Sequence, residues 1–486
     1  MDTSHATDHG IADPGSFQPV ADDLSSRDPL GYPDYRETLQ RAAAHAGADE
    51  AVLAGKATIG GFEVELAVFQ FAFLGGSMGE VAGERLARSL ERAAERKVPF
   101  VLRTATGGAR MQEGMRSLIQ MPKVVAARLT LEEAHQPFIA FLGHPTTGGV
   151  LASLASLADI TFAQVDATIG FAGPRVAERV TGRPLDPRSH TASFAFDNGM
   201  VDDVLPADGA QVAIAEVLEC LAPDEPVRAE SPDSALRPAD GDPWRAVQRA
   251  RVSTGVDHDL WEPSRDGGLS HPLIDHHVEL NGDRAGAEAG DLPTWLARVA
   301  GRRVLLIQTG GGPVWPSGYR KAIRCVDIAT RLGIPIVTFV EMTGADPSAE
   351  SEAEGIAHLI ARLTEKMLKA PVPILSVITG EGGSGGALAF ATADVLLATE
   401  DSIFSVIGPE AAAEILWKDA SRAPEAARLL KLTAHDLLDL GIADQVIPRG
   451  VESLKRAVTY HLGRLSERHD PGQAPALRRA RWRNTW

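Results

Sequence analysis

The chain has 486 residues, 44% of them hydrophobic, and 48 Lys and Arg against 65 Asp and Glu give a formal charge of −17. That length suits about two or three globular domains, and the acidity argues against a surface built for nucleic-acid phosphates. Two cysteines exclude a disulfide framework and a four-cysteine zinc site, and no apolar run approaches the roughly 18 residues of a membrane span. A location in the cytoplasm is expected.

Residues 1–30 are rich in Asp, Ser, Gly and Pro without a hydrophobic period and read as a loose, disordered leader. From about Glu50, AVLAGKATIGGFEVELAVFQFAF reads as two β-runs around a Gly-Gly turn. MGEVAGERLARSLERAAERK follows with apolar residues at helical spacing. VPFVLRT is a buried strand, ATGGARMQEG a loop, and a long helix then runs to about His135. PFIAFLG is a strand, TTGG a loop, VLASLASLA a helix and DITFAQ a strand, an alternation that predicts parallel pairing with helices outside the sheet. The Pro- and Asp-rich stretch 222–243 reads as a linker. Beyond it the α/β alternation resumes with RRVLLIQT, GYRKAIRCVDIATRLG, IPIVTFVEM, a helix from about Ser351 to Lys369, VPILSVITG, GGSGG and ALAFATADVLLATE.

The second half repeats the first. ADITFAQVDATIGFAGPR from Ala158 aligns without gaps to ADVLLATEDSIFSVIGPE from Ala393, so Asp159 matches Asp394; GMVDDVLP from Gly199 pairs with GIADQVIP from Gly441. A Gly pair precedes each block, Gly148-Gly149 and Gly385-Gly386, where a buried strand turns into a helix. The first amides of a helix lack internal partners and carry the positive end of its dipole, and glycine lets a ligand oxygen come close. GEGGSGG is flanked by ILSVIT and ALAFA, unlike a flexible linker, and neither pair is followed by the Lys-Ser/Thr of a phosphate loop. Stabilisation of an oxyanion fits better. Other polar residues leave alternatives open: Glu113 as a cap at a helix start or a group acting on substrate, Arg110 as an anion site or a structural ion pair. His276-His277 reads as a solvated pair and Asp346 as a turn residue.

The first half resembles the beta subunit of bacterial acetyl-CoA carboxylase carboxyltransferase through FAFLGGSMGEVAGE (71–84), GGARMQEG (107–114), PTTGGVLAS (145–153), IGFAGPRV (169–176) and NGMVDDV (198–204). The second resembles the alpha subunit through PWRAVQRAR (243–251), VELNGDRA (278–285), GYRKAIR (318–324), GEGGSGGALA (380–389), SVIGPEAAAEILWKDAS (405–421) and LKLTAHDLLDLGIADQVIP (430–448). The resemblance implies two tandem crotonase-type β-β-α superhelix domains, at 31–221 and 244–465, with a tail at 466–486. It implies transfer of a carboxyl group from carboxybiotin to the α-carbon of an acyl-CoA such as acetyl-CoA. The amides of Gly148 and Gly149 would hold the thioester oxygen and those of Gly386 and Ala387 the biotin carbonyl. Gly107, Gly108 and Arg110 would line the coenzyme A side, and Gly383 and Gly385 the biotin side. Biotin would arrive on a biotin carboxyl carrier protein loaded by a biotin carboxylase, because KMLK at 366–369 is not a biotinylation signal. At least a dimer is implied, with neither nucleic acid nor membrane as partner. The family's zinc ribbon has no cysteines here, so no zinc is expected. Its D-T-P-G-A-Y-P-G loop stands here as Glu341-Met342-Thr343-Gly344-Ala345-Asp346-Pro347-Ser348. A malonyl-thioester decarboxylase, a pathway-specific acyl carboxyltransferase of the same fold and an inactive scaffold are the alternative readings.

Overall fold

A computed structural model describes residues 10–226, 229–237, 241–252, 262–263, 269–270 and 273–484. Two units divide the chain: unit 1 is Met1–Leu218 with Arg284–Glu288, and unit 2 is Glu219–Asp283 with Ala289–Trp486.

In unit 1, β1 (Gln18–Pro19), β2 (Val52–Ile59), β3 (Phe62–Phe69), β4 (Phe100–Thr106), β5 (Phe138–Thr147), β6 (Ile160–Gln164) and β8 (Asp203–Leu205) lie side by side in that order, and β7 (Ile169–Gly170) pairs the end of β5. Gly60 and Gly61, at φ 57° and 83°, make the two-residue turn that sets Ile59 opposite Phe62. From β3 onward the neighbours on the main path run parallel, and β4 is buried along nearly its whole length, as expected for a sheet covered on both faces. The helices Glu80–Arg96 and Gln120–Glu133 cover one face, with Leu86, Leu90, Val124 and Leu131 packed on Phe100, Leu102 and Phe138. The helix expected over VLASLASLA is shorter than its apolar pattern. It spans Gly148–Leu151 and is followed by a 3₁₀ turn at Ala155–Leu157, because Ser153 and Ser156 give their hydroxyls to the Gly149 and Leu151 carbonyls at 2.6 Å.

Unit 2 carries a two-stranded ribbon, β9 (Glu262–Pro263) and β10 (Leu269–Ser270). Its main sheet runs β11 (Ile274–Glu279), β12 (Thr294–Val299), β13 (Arg302–Gln308), β15 (Ile336–Ala345), β16 (Ile374–Gly383), β17 (Val395–Thr399) and β19 (Gln445–Ile447). Two short strands, β14 (Gly311–Val314) and β18 (Ile403–Ser405), flank β15 and β16. The helix expected from Ser351 to Lys369 is broken at Gly355, φ 78°, into Ala349–Ala353 and Ile356–Lys369.

The repeat holds at the level of single bonds. Asp159 accepts the Phe138 amide at the start of β5, and Asp394 accepts the Ile374 amide at the start of β16, both at 2.8 Å. Asp202 and Asp444 do the same for Thr161 and Leu396, at 2.8 and 2.7 Å.

Both ends are more ordered than their composition suggested. In the expected leader, whose residues 1–9 lie outside the described part, Asp13 takes the Gly60 and Gly61 amides at 2.8 and 2.9 Å, and Asp22 pairs with Arg85 at 2.9 Å. In the expected tail, the helix Ala474–Arg483 seats Arg478 against Asp394 at 2.6 Å and the carbonyls of Met367, Ala370 and Val372. Specific polar partners order both segments where no hydrophobic period announces it. Within the Pro-rich stretch, Glu225 bonds Gly301 and Ala235 bonds Val446, so it lies along unit 2.

Candidate active site

Each unit builds a cradle where one parallel strand ends beside the start of the next strand's helix. In unit 1, Met78 bridges the β4 exit: its amide reaches Gly108 O at 2.8 Å, and its carbonyl takes the Arg110 amide at 3.0 Å. A parallel bridge leaves the amide of the intervening residue, Ala109, pointing the other way. That side is where the β5 helix starts. Gly108, at φ 106°, permits the approach, since a methyl on it would lie 3.1 Å from Gly148 Cα and 3.2 Å from Gly149 N.

Unit 2 repeats this. Val314 bridges Ala345 and takes the Asp346 amide at 3.0 Å, so the Ala345 amide faces the helix Ser384–Ala391. Gly344, at φ 137°, stands where Gly108 stands. A methyl on Gly386 would lie 2.7 Å from Ala345 N and 2.7 Å from Tyr319 Oη.

Some of the amides named from the sequence are engaged within the protein. Gly148 gives its N–H to Phe171 O at 3.0 Å, so that donor is engaged by the protein itself. Ala387 is fourth in from the Gly383 N-cap, and its N–H closes the first helical turn onto the Gly383 carbonyl. In one cradle Ala109 stands at the strand exit and Gly149 in the first turn of the helix, and in the other Ala345 and Gly386 hold the corresponding places. Each cradle thus draws on two chain segments, a strand exit and a helix start. The signal was present as a Gly-Ala dipeptide at each strand exit, Gly108-Ala109 and Gly344-Ala345.

The lining glycines serve the backbone. Gly107 bonds Gly75 O at 2.9 Å and Gly108 bonds Thr106 Oγ1 at 3.0 Å. Gly383 packs on the Thr343 carbonyl with no room for a side chain, and Gly385 is exposed at the helix start.

Arg110 is engaged by groups of the protein itself. It is 1% exposed, and its guanidinium is spent on Glu50, Glu113, Ser26 and both the carbonyl and hydroxyl of Ser77. Glu113, also buried, accepts from Tyr35 at 2.7 Å and caps the Glu80–Arg96 helix through the Glu80 amide at 2.5 Å. Burial pushes the Tyr35 phenol well up, so it stays protonated. This closed cluster pins the Ala109 exit. Sequence reasoning missed Glu50 and Tyr35, which sit far away in the chain. Asp346 is the turn residue expected: Ser348 and Ser351 donate to it and hold its carboxyl below the usual range. His276 and His277 are both exposed on β11.

Residues 268–469 match the family model described as acetyl co-enzyme A carboxylase carboxyltransferase-like. A protein of Salinispora arenicola named acetyl-coenzyme A carboxylase carboxyl transferase subunits beta/alpha is 41% identical over 487 aligned residues, covering 93% of this chain and 85% of that one. The protein of the same name from Saccharopolyspora erythraea is 37% identical, covering 95% and 85%. This chain belongs to that carboxyltransferase family. The fold agrees: a solved transcarboxylase 12S, described as a hexamer with hydrolyzed methylmalonyl-coenzyme A bound, superposes with TM-score 0.77 at 24% identity, covering 96% of this chain and 90% of that one. The carboxyltransferase therefore carries both subunit-like halves in one polypeptide, each with the crotonase-type plan and each with one cradle. Among its described residues no helix is long and apolar enough to cross a membrane.

Proposed function

We propose that the enzyme moves a carboxyl group from carboxybiotin, presented by a separate carrier protein, to the α-carbon of a short acyl-CoA such as acetyl-CoA, in the cytoplasm. The observation that carries this reading is the duplicated cradle: in each unit a strand exit, at Ala109 or Ala345, meets a helix start, at Gly149 or Gly386. Carboxyl transfer needs two such sites, because charge appears on the thioester oxygen when the α-carbon becomes an enolate and on the ureido oxygen when CO2 leaves.

The Ala109 and Gly149 amides hold the thioester oxygen, and the Ala345 and Gly386 amides hold the ureido oxygen. Biotin supplies the CO2 and, once free of it, the nitrogen that takes the α-proton. The chain contributes fixed dipoles that need no reorganisation as charge develops. A removed oxyanion donor costs about 10²–10³ in rate in such sites.

Partners follow from the same reading: a biotin carboxyl carrier protein, a biotin carboxylase, and a second copy of the chain. Phe171 and Val180 in unit 1 and Val406 and Ile415 in unit 2 stand at matched repeat positions, and all four are exposed apolar residues, 64–79% accessible. Such matched apolar faces support burial in an oligomer.

The test is to incubate the purified chain with malonyl-CoA and free biotin or biotinylated carrier and to measure acetyl-CoA. Biotin-dependent formation supports the reading. Release of CO2 without biotin supports a decarboxylase instead, and no turnover of any short malonyl homologue by folded protein leaves only a scaffold.

A further inference from the structure

We propose that Tyr319 is a catalytic residue of the unit-2 cradle, its phenol hydroxyl giving a third hydrogen bond to the oxygen held by the Ala345 and Gly386 amides. The inference deepens the proposed function and rests on it.

Tyr319 lies in the first turn of the helix Pro316–Leu332 and is 0% exposed. Its ring packs on Phe390 of the cradle helix, centroids 5.3 Å apart. Its hydroxyl has no hydrogen-bond partner among the described residues, although a buried tyrosine normally finds one. The hydroxyl lies close against Gly386 and beside the Ala345 amide: a methyl on Gly386 would lie 2.7 Å from Tyr319 Oη and 2.7 Å from Ala345 N. Ser384 and Gly385 are exposed and Ala345 is half-buried, while Tyr319 has no exposed surface of its own. An unpaired polar group there is poorly explained by folding and well explained by an acceptor that arrives with substrate. Burial, reinforced by the charge of Asp291, pushes the phenol up, which keeps the hydrogen in place for donation. A C–O torsion alone can turn that hydrogen toward an oxygen as its charge grows.

Tyr319→Phe removes the oxygen and keeps the ring, so the measurement is carboxyl transfer between malonyl-CoA and free biotin, beside thermal unfolding and the KM for malonyl-CoA. The expected result is a fall in kcat of about 10²-fold, with an unchanged KM for malonyl-CoA and a Tm equal to or above that of the parent. Transfer within twofold of the parent overturns the proposal and leaves Tyr319 as packing. A Tm several degrees lower also overturns it, since the hydroxyl then has a partner in the resting fold. Wild-type protein that turns over no malonyl thioester with biotin, yet unfolds cooperatively, overturns the underlying functional reading rather than the placement of Tyr319.

Discussion

Gly148 donates its amide hydrogen to the Phe171 carbonyl at 3.0 Å, so this amide of the first cradle is engaged within the protein. It ties the start of the Gly148–Leu151 helix to the segment just after β7, so Gly149 is presented to Ala109 while Gly148 acts as a brace.

The two cradle glycines respond differently to a methyl group. On Gly149 it meets the Met121 sulfur at 3.1 Å, a flexible neighbour, whereas on Gly386 it meets the Ala345 amide nitrogen at 2.7 Å. Gly149→Ala keeps its amide and lowers carboxyl transfer by less than about tenfold, while Gly386→Ala costs about 10²–10³, the scale of one lost oxyanion donor. Steady-state rates of both variants, with circular dichroism to confirm folding, check the contrast.

Arg110 acts through the fold. Arg110→Ala strands Glu50 and Glu113, both about 1% exposed or less, without their cation. The expected loss is about 3–5 kcal/mol of stability, read by urea denaturation. A change confined to KM for acyl-CoA, with stability intact, would show a ligand role instead.

Arg478 fastens the C-terminal helix to unit 2 through Asp394 and three carbonyls. Because Asp394 also holds the start of β16, Arg478→Ala should loosen the strand that leads into the second cradle. About 3–5 kcal/mol of stability should be lost, and hydrogen exchange should rise at the Ile374 amide.

His461 gives a pH signature. Burial lowers its imidazole below the ordinary 6.5, and Nε2 lies 2.8 Å from Gln445 Oε1. Below pH 6.5 the unfolded chain binds this proton before the folded chain does, so its stabilising contribution is complete above 6.5 and is lost as pH falls toward the depressed folded value. Unfolding free energies between pH 8 and about 5 should therefore drop more steeply for the parent than for His461→Gln.

Much of this was legible along the chain. The period of apolar residues marked the helix Glu80–Arg96 and the strands β4, β5, β15 and β16, since burial on one stripe or on both faces leaves its own pattern. The gapless repeat gave two homologous halves, and Asp159 and Asp394 show why it persists: each closes the same strand start. Less was legible where single polar contacts decide. The order in residues 10–30 and in the Ala474–Arg483 helix comes from carboxylate–arginine pairs whose members are up to 84 positions apart, and no local period encodes these.

By itself, the sequence determined the duplicated α/β plan, the family and the neighbourhood of each cradle, because periodicity and glycine punctuation are local and survive being read in one dimension. Only the tertiary structure decided which amides face the cradles, that Arg110 is sealed in, and that the Tyr319 hydroxyl is left unpaired. Those facts depend on where a strand exit meets a helix start, and hydrogen-bond direction is a property of three-dimensional neighbours.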